Sequence, residues 1–108
     1  MIKLTIYVPK NESEGLLDAL FDQGFGSGEL YEKAYFASTG HFFYTPRSGS
    51  RPNSGTVGKD SSIETLKIEI THKEELTETE LKNKMDEILK SHPYERPAYE
   101  LTKIISYH

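Results

Sequence analysis

Ile2, Leu4, Ile6 and Val8 alternate with Lys3, Thr5 and Tyr7 until Pro9 cuts the run. Directly behind it, Leu16, Leu17, Leu20 and Phe21 recur at helical spacing up to Gly24. A change from alternation to a helical stripe predicts a strand followed by an amphipathic helix. The same change returns in the second half. Leu66, Ile68 and Ile70 share one face of a strand over 63–72, and Leu81, Met85, Ile88 and Leu89 form a stripe that ends before Pro93. Each helix has a start signal, Asn11 with Glu14 and Thr77 with Glu80, both spaced as capping boxes. Phe25 to Gly28 reads as a connector. A strand is predicted over 29–36, with Leu30, Ala34 and Phe36 on one side and Tyr31, Lys33 and Tyr35 on the other. It extends through Phe42 and Tyr44 past a break at Gly40. A last strand is predicted over 99–107. The order β-α-β-β-α-β predicts an α+β, ferredoxin-like domain: a four-stranded antiparallel sheet with two helices on one face. A single domain over residues 1–108 is expected.

Composition narrows the function. The net charge is -4 and no region is strongly basic, so nucleic acid is not an expected partner. There is no cysteine, which excludes disulfides, thiol catalysis and thiolate metal sites. The N-terminus lacks the apolar run of a signal peptide, and no stretch approaches the ~20 apolar residues of a membrane span. A soluble cytoplasmic protein with no membrane partner is expected.

The sheet face away from the helices carries tyrosines. Tyr7, Tyr31 and Tyr35 lie opposite the helix-facing positions, and the last strand is apolar or aromatic on both sides: Tyr99, Leu101, Ile105 and Tyr107 against Ala98 and Ile104. A face left to water would hold more charge. This predicts a cover, most simply a second subunit.

Two segments hold the candidate chemistry. Pro46 to Asp60 is a long loop of Gly, Ser and Pro with Arg47, Arg51 and Lys59, able to hold an anion through backbone N–H groups and guanidinium. It is not a Walker loop, since Gly58-Lys59 is followed by Asp60. The second segment is His92-Pro93-Tyr94-Glu95-Arg96-Pro97-Ala98-Tyr99-Glu100, where two prolines hold the intervening side chains in extended geometry. His92 stands at the end of the second helix, whose negative terminus favours the protonated ring.

These two segments carry a family resemblance that covers essentially the whole chain. The spaced Pro46-x-x-Gly49-x-x-Pro52-x-x-Gly55-x-x-Gly58-Lys59 pattern and the 92–100 run resemble the CutA-like, PII-like domain of the NGG-interacting-factor-three-like (YqfO) proteins. The family's run reads HPYEEPAYD, so Arg96 replaces the second Glu and Glu100 replaces Asp. The family's Gly-x-Phe-Arg-Pro run is absent, because His41-Phe42-Phe43-Tyr44-Thr45 separates Gly40 from Pro46. The resemblance implies the ferredoxin-like fold and a homotrimer with facing sheets. In PII-like proteins the connection equivalent to 46–59 senses ligands and partners. The resemblance implies no activity, because the halves that hold the two-metal site of full-length relatives have no counterpart here.

No carboxylate pair or serine motif suggests catalysis. The expected function is a small non-catalytic binding or regulatory module, a trimer, with a site for a small molecule or protein at the subunit interface. Its expected residues are Arg47, Arg51, Lys59, His92, Tyr94 and Glu95. The alternative is a divalent metal-ion-binding protein of CutA type, using His41, His92 and Glu95. The histidines, His41, His72, His92 and His108, have no compact ligand spacing, and such scattered histidines are expected to be solvated.

Overall fold

A computed structural model describes residues 1–53 and 55–105. The strands are β1 (Ile2–Pro9), β2 (Phe36–Tyr44), β3 (Ser61–His72) and β4 (Tyr99–Lys103); the helices are α1 (Glu14–Asp22) and α2 (Glu78–Leu89). They form one antiparallel sheet in the order β2-β3-β1-β4. This is the α+β, ferredoxin-like arrangement that the periodicities predict. No helix among the described residues is long and apolar enough to cross a membrane.

β1 behaves as its alternation requires. Leu4, Ile6 and Val8 are fully buried under the helices, as are Leu16 and Leu20 of α1 and Ile88 of α2, with Ile68 and Ile70 beside them. Registered pairing puts Leu4 opposite Ile70 and Ile6 opposite Ile68, so one face of the sheet is continuously apolar. Phe25, expected in a connector, is fully buried in this core. His72, expected to be solvated, is buried at the end of β3 with its ring edge-on to Phe25, centroids 5.1 Å apart. Thr71 and His72 end the strand where the chain turns in. The Gly26 N–H donates to the Thr71 carbonyl at 2.9 Å, and Gly26 has φ +84. A Cβ there would stand 3.0 Å from the Ala34 carbonyl oxygen, so this close approach needs glycine.

The second strand is displaced from its expected place. Residues 29–35 are not a strand, and Leu30 and Tyr31 are exposed in the turns that precede β2. The reason is register. Phe36 pairs with Glu69, so a strand continued backward would pass His72 beyond residue 33, and the Thr71 carbonyl is already taken by the Gly26 N–H. The Ala34 N–H instead donates to the Gly26 carbonyl at 3.0 Å, and Lys33 takes φ 56. Tyr31 and Tyr35 therefore do not lie on the open sheet face; Tyr35 packs on Phe21, centroids 5.9 Å apart. Gly40 is no break either, since it sits inside β2 opposite Thr65. β4 ends at Lys103, and Ile105 lies beyond it, exposed. Tyr107 and His108 lie outside the described residues.

β3 is longer than β1, and its first residues pair only with β2, opposite 41–44. At ~3.3 Å per residue, a twelve-residue strand supplies most of the 47 Å long axis. The overhang leaves Phe42 and Phe43 exposed on opposite faces of the hairpin.

One of the two expected capping boxes forms. Thr77 Oγ1 accepts from the Glu80 N–H at 3.1 Å, and Glu80 Oε1 accepts from the Thr77 N–H at 3.0 Å. Asn11 and Glu14 do not form theirs, because residues 10–12 are already a 3-10 turn and Ser13, not Asn11, precedes α1. Ser13 has a helical conformation, whereas a capping side chain needs an extended one. Thr77→Ala is therefore expected to cost about 1 kcal/mol in urea unfolding. Asn11→Ala should stay within about 0.5 kcal/mol of the parent chain. Equal losses at the two positions would contradict these assignments.

Candidate functional site

The long connection between β2 and β3 folds back onto the end of β1 and the turn before β4. Thr45 Oγ1 donates to Asp60 Oδ1 at 2.6 Å across the neck of the loop, and the Gly58 N–H donates to the Pro46 carbonyl at 2.7 Å. Gly55, at φ +92, crosses above the Tyr44 hydroxyl; a Cβ would stand 3.2 Å from that oxygen and 2.9 Å from Ser61 Oγ. Contacts to Glu95 and Glu12 tie the loop to the rest of the chain. The Arg51 N–H donates to Glu95 Oε1 at 3.1 Å, with Arg51 Nε 4.0 Å from Oε2. Asn53 Nδ2 donates to Glu12 Oε2 at 3.1 Å.

Beneath these contacts, His92 fastens the turn to β1. Its Nε2 lies 2.7 Å from the Tyr7 carbonyl oxygen, and its Nδ1 accepts from the Tyr94 N–H at 3.0 Å. A carbonyl can only accept, so Nε2 carries the proton and the ring is the neutral Nε2–H tautomer. Burial lowers the His92 pKa below 6.5, outweighing the Tyr7 carbonyl and Glu12, which act the other way. This corrects the expectation that the α2 terminus would favour the charged ring. Both nitrogens are used inside the fold, so His92 has no lone pair to offer a metal ion.

Loop and turn enclose a cleft of about 240 Å³, whose lining includes Phe42, Tyr44, Arg51, Tyr94, Glu95 and Arg96. Phe42 and Tyr44 alternate onto the sheet face away from the helices, where Phe42 also meets Tyr7, centroids 6.3 Å apart. The cleft therefore opens on that face. The Tyr94 hydroxyl is buried with no hydrogen-bond partner among the described residues. Burial raises its pKa, so it stays protonated near neutral pH.

Of the six ligand residues expected from sequence, Arg51, Tyr94 and Glu95 line this cleft, and His92 supports it from below. Arg47 and Lys59 do not line it. Arg47 contributes its carbonyl to a turn closed by Ser50, and the Lys59 N–H closes a turn onto Thr56. Phe42, Tyr44 and Arg96 were not among the expected residues. The alternation of Phe42 and Tyr44 was a signal for the first two, as was the substitution of the family's Glu by Arg96 for the third. His41, His92 and Glu95 are not gathered as a metal site: no group of three or more His, Cys, Asp or Glu among the described residues is placed to hold an ion. His41 lies on the overhanging hairpin beside Phe43, ring centroids 6.4 Å apart.

The His92 geometry sets a pH dependence. Between the lowered folded pKa and the unfolded value near 6.5, the unfolded chain binds more protons. The contribution of His92 is therefore complete above about pH 6.5 and is lost as the pH falls through the folded value. His92→Ala should lose about 1–3 kcal/mol at pH 7.5, leaving the Tyr7 carbonyl and Tyr94 N–H unpaired. It should also show a shallower fall in urea midpoint on acidification than the parent. An unchanged slope would contradict the neutral, doubly bonded ring.

No family model matches the chain. Similarity to individual proteins is extensive. A Halalkalibacterium halodurans protein named GTP cyclohydrolase 1 type 2 homolog is 34% identical over 101 residues, covering 94% of this chain and 26% of the relative. The Bacillus subtilis protein of the same name is 31% identical over 99 residues, covering 92% of this chain and 26% of the relative. Among solved structures, a Bacillus cereus protein related to NIF3 superposes with a TM-score of 0.69 at 26% identity, covering 93% of this chain and 24% of that one. CutA1 from Pyrococcus horikoshii superposes with a TM-score of 0.63 at 14% identity, covering 100% of this chain and 87% of that one, a likeness of fold. The chain thus spans about a quarter of the length of the curated relatives it matches. Similarity along nearly the whole chain, joined to the shared fold, identifies it as a CutA-like domain of the NGG-interacting-factor-three-like (YqfO) family.

Proposed function

We propose that this chain is a small non-catalytic binding or regulatory module that works as a homotrimer, with a ligand site where the cleft meets a neighbouring subunit. The observation that carries this is the position of the cleft. It opens on the sheet face that the described residues leave uncovered, between the 46–59 loop and the 92–96 turn. Phe36, 64% exposed, stands on that same face, along with Tyr7, Phe42 and Ile63. Gly40 leaves a shallow groove of about 190 Å³ between Tyr7 and Phe42, a hollow that a side chain from a second copy would fill. A ligand in the cleft would thus lie beside the subunit boundary, and its binding would be linked to assembly.

The non-catalytic character rests on how the polar groups are spent. Glu95 is held by Arg51, and both His92 nitrogens are bonded within the fold, so neither is poised as a base. The reaction named for the relatives belongs to proteins of which this chain matches about a quarter, and it is not carried over. The divalent-cation reading would require ligands from more than one copy, and His92 is already committed.

Sedimentation or light scattering should give three times the 12.3 kDa chain mass over a wide concentration range. Phe36→Asp should shift the protein toward single chains with its circular dichroism unchanged, since a carboxylate on the covered face would be desolvated directly opposite Glu69, a like charge already paired with Lys3. A parent chain that stays monomeric at every concentration would sink the interfacial site.

A further inference from the structure

We propose that the cleft is a receptor for a small planar aromatic acid, whose acid group takes the place that the Glu95 carboxylate now occupies on Arg51. This rests on the binding-module function above and names its ligand class. Four observations converge on it.

The first is size. At about 240 Å³ the cleft is smaller than the ~300–1,000 Å³ typical of sites for drug-sized molecules, so it suits one or two fused rings. The second is shape and chemistry of the walls. Phe42, Tyr44 and Tyr94 present ring surfaces, with Pro46 and Pro52 closing the loop side. Such walls favour a flat apolar body, held by offset or edge-on ring contacts.

The third observation is the anion seat. The Arg51 backbone N–H donates to the Glu95 carboxylate at 3.1 Å, and the guanidinium of the same residue faces it at 4.0 Å, an ion pair longer than a hydrogen bond. A bound carboxylate would take the same N–H and draw the exposed guanidinium in to charge-assisted distance. Glu95 is a stand-in for it, tethered by its own turn and only loosely paired, since the Arg51 side chain is 91% exposed. Arg96 lines the same cleft and makes no ion pair among the described residues. An incoming acid would thus meet a second cation, and Glu95 would swing out to solvent. The fourth is Tyr94 itself, whose side chain lines the cleft and whose buried hydroxyl has no hydrogen-bond partner among the described residues, a polar group left to be satisfied in the cleft wall.

The stand-in makes a specific demand. Glu95 competes with the ligand, so removing its charge must strengthen binding, although it lines the site. The test uses 2-naphthoate as probe, with 2-naphthylmethanol (same rings, no acid) and acetate (acid, no rings) as comparators. Binding is followed by amide chemical shifts on the full chain. The expected result is saturable 2-naphthoate binding that moves the Arg51, Tyr94 and Glu95 amides, with both comparators at least tenfold weaker. Glu95→Gln should bind 2-naphthoate more tightly, on the order of two- to fivefold, the scale of one exposed ion pair. Arg51→Gln should bind it more weakly. Equal binding of 2-naphthylmethanol would overturn the acid seat, equal binding of acetate would overturn the aromatic one, and weaker binding by Glu95→Gln would overturn the stand-in. Glu95→Gln replaces an exposed side chain, and its amide dispersion reports whether it is folded. The mass of the same samples separates the two proposals. A trimer that ignores 2-naphthoate rejects this ligand class and leaves the module, whereas a monomer that binds it rejects the interface and leaves the ligand.

Discussion

β1 is paired along both edges, in register with β3 at all eight of its residues and with β4 at five. That double pairing leaves its two faces as the only directions for its side chains. Leu4, Ile6 and Val8 take the face under the helices and are fully buried, which sets where α1 and α2 must pack. The end of β1 then organises the cleft. The Tyr7 N–H donates to the Ala98 carbonyl, and the Tyr7 carbonyl accepts from His92, so one residue of the central strand holds both ends of the 92–98 turn. Just beyond Pro9, Glu12 catches Asn53 of the long loop. A shift of β1 by one residue would release the core and the cleft together.

The overhanging hairpin carries aromatic residues that the small core cannot cover. Residues 41–44 and 61–64 pair with each other past the end of β1, where neither helix covers them. Their aromatic side chains contribute little to the monomer's core, and Phe43 remains 76% exposed. The same absence of cover makes Phe42 and Tyr44 available as walls of the cleft. Beside them, loop and turn are joined by a few exposed polar contacts rather than by apolar packing. Contacts of that kind are individually weak, so loop and turn can separate without disturbing the core.

Family membership and cleft chemistry answer different questions. Similarity along nearly the whole chain identifies the domain, but the matched relatives extend far beyond it. The details that distinguish this chain within the resemblance lie in the cleft. Arg96 adds a cation where the family's run has a carboxylate, and the segment before Pro46 brings Phe42 and Tyr44 in place of the family's arginine-bearing run.

The periodic parts of the chain were legible without coordinates. The alternation of β1 and β3 and the stripes of both helices determined the element order, because burial of one face dictates each spacing. The Thr77–Glu80 box was equally plain, since both partners lie within one turn. Tertiary structure decided what depends on distant pairing. Residues 29–35 alternate like a strand, yet the register of β2 on β3 carries 29–32 past His72, and Gly26 takes the Thr71 carbonyl that 33–35 would meet. Asn11 and Glu14 have the spacing of a box, yet a 3-10 turn carries the chain into α1 already wound. His92 could be recognised as a fixed residue from its prolines, but its neutral state came from burial against Tyr7, far away in sequence. Arg51 and Glu95 were both candidates, while their pairing across the fold, and the exclusion of Arg47 and Lys59 from the cleft, followed from how the loop closes. Local spacing records which face a side chain must take, and only the assembled sheet determines which side chains then meet.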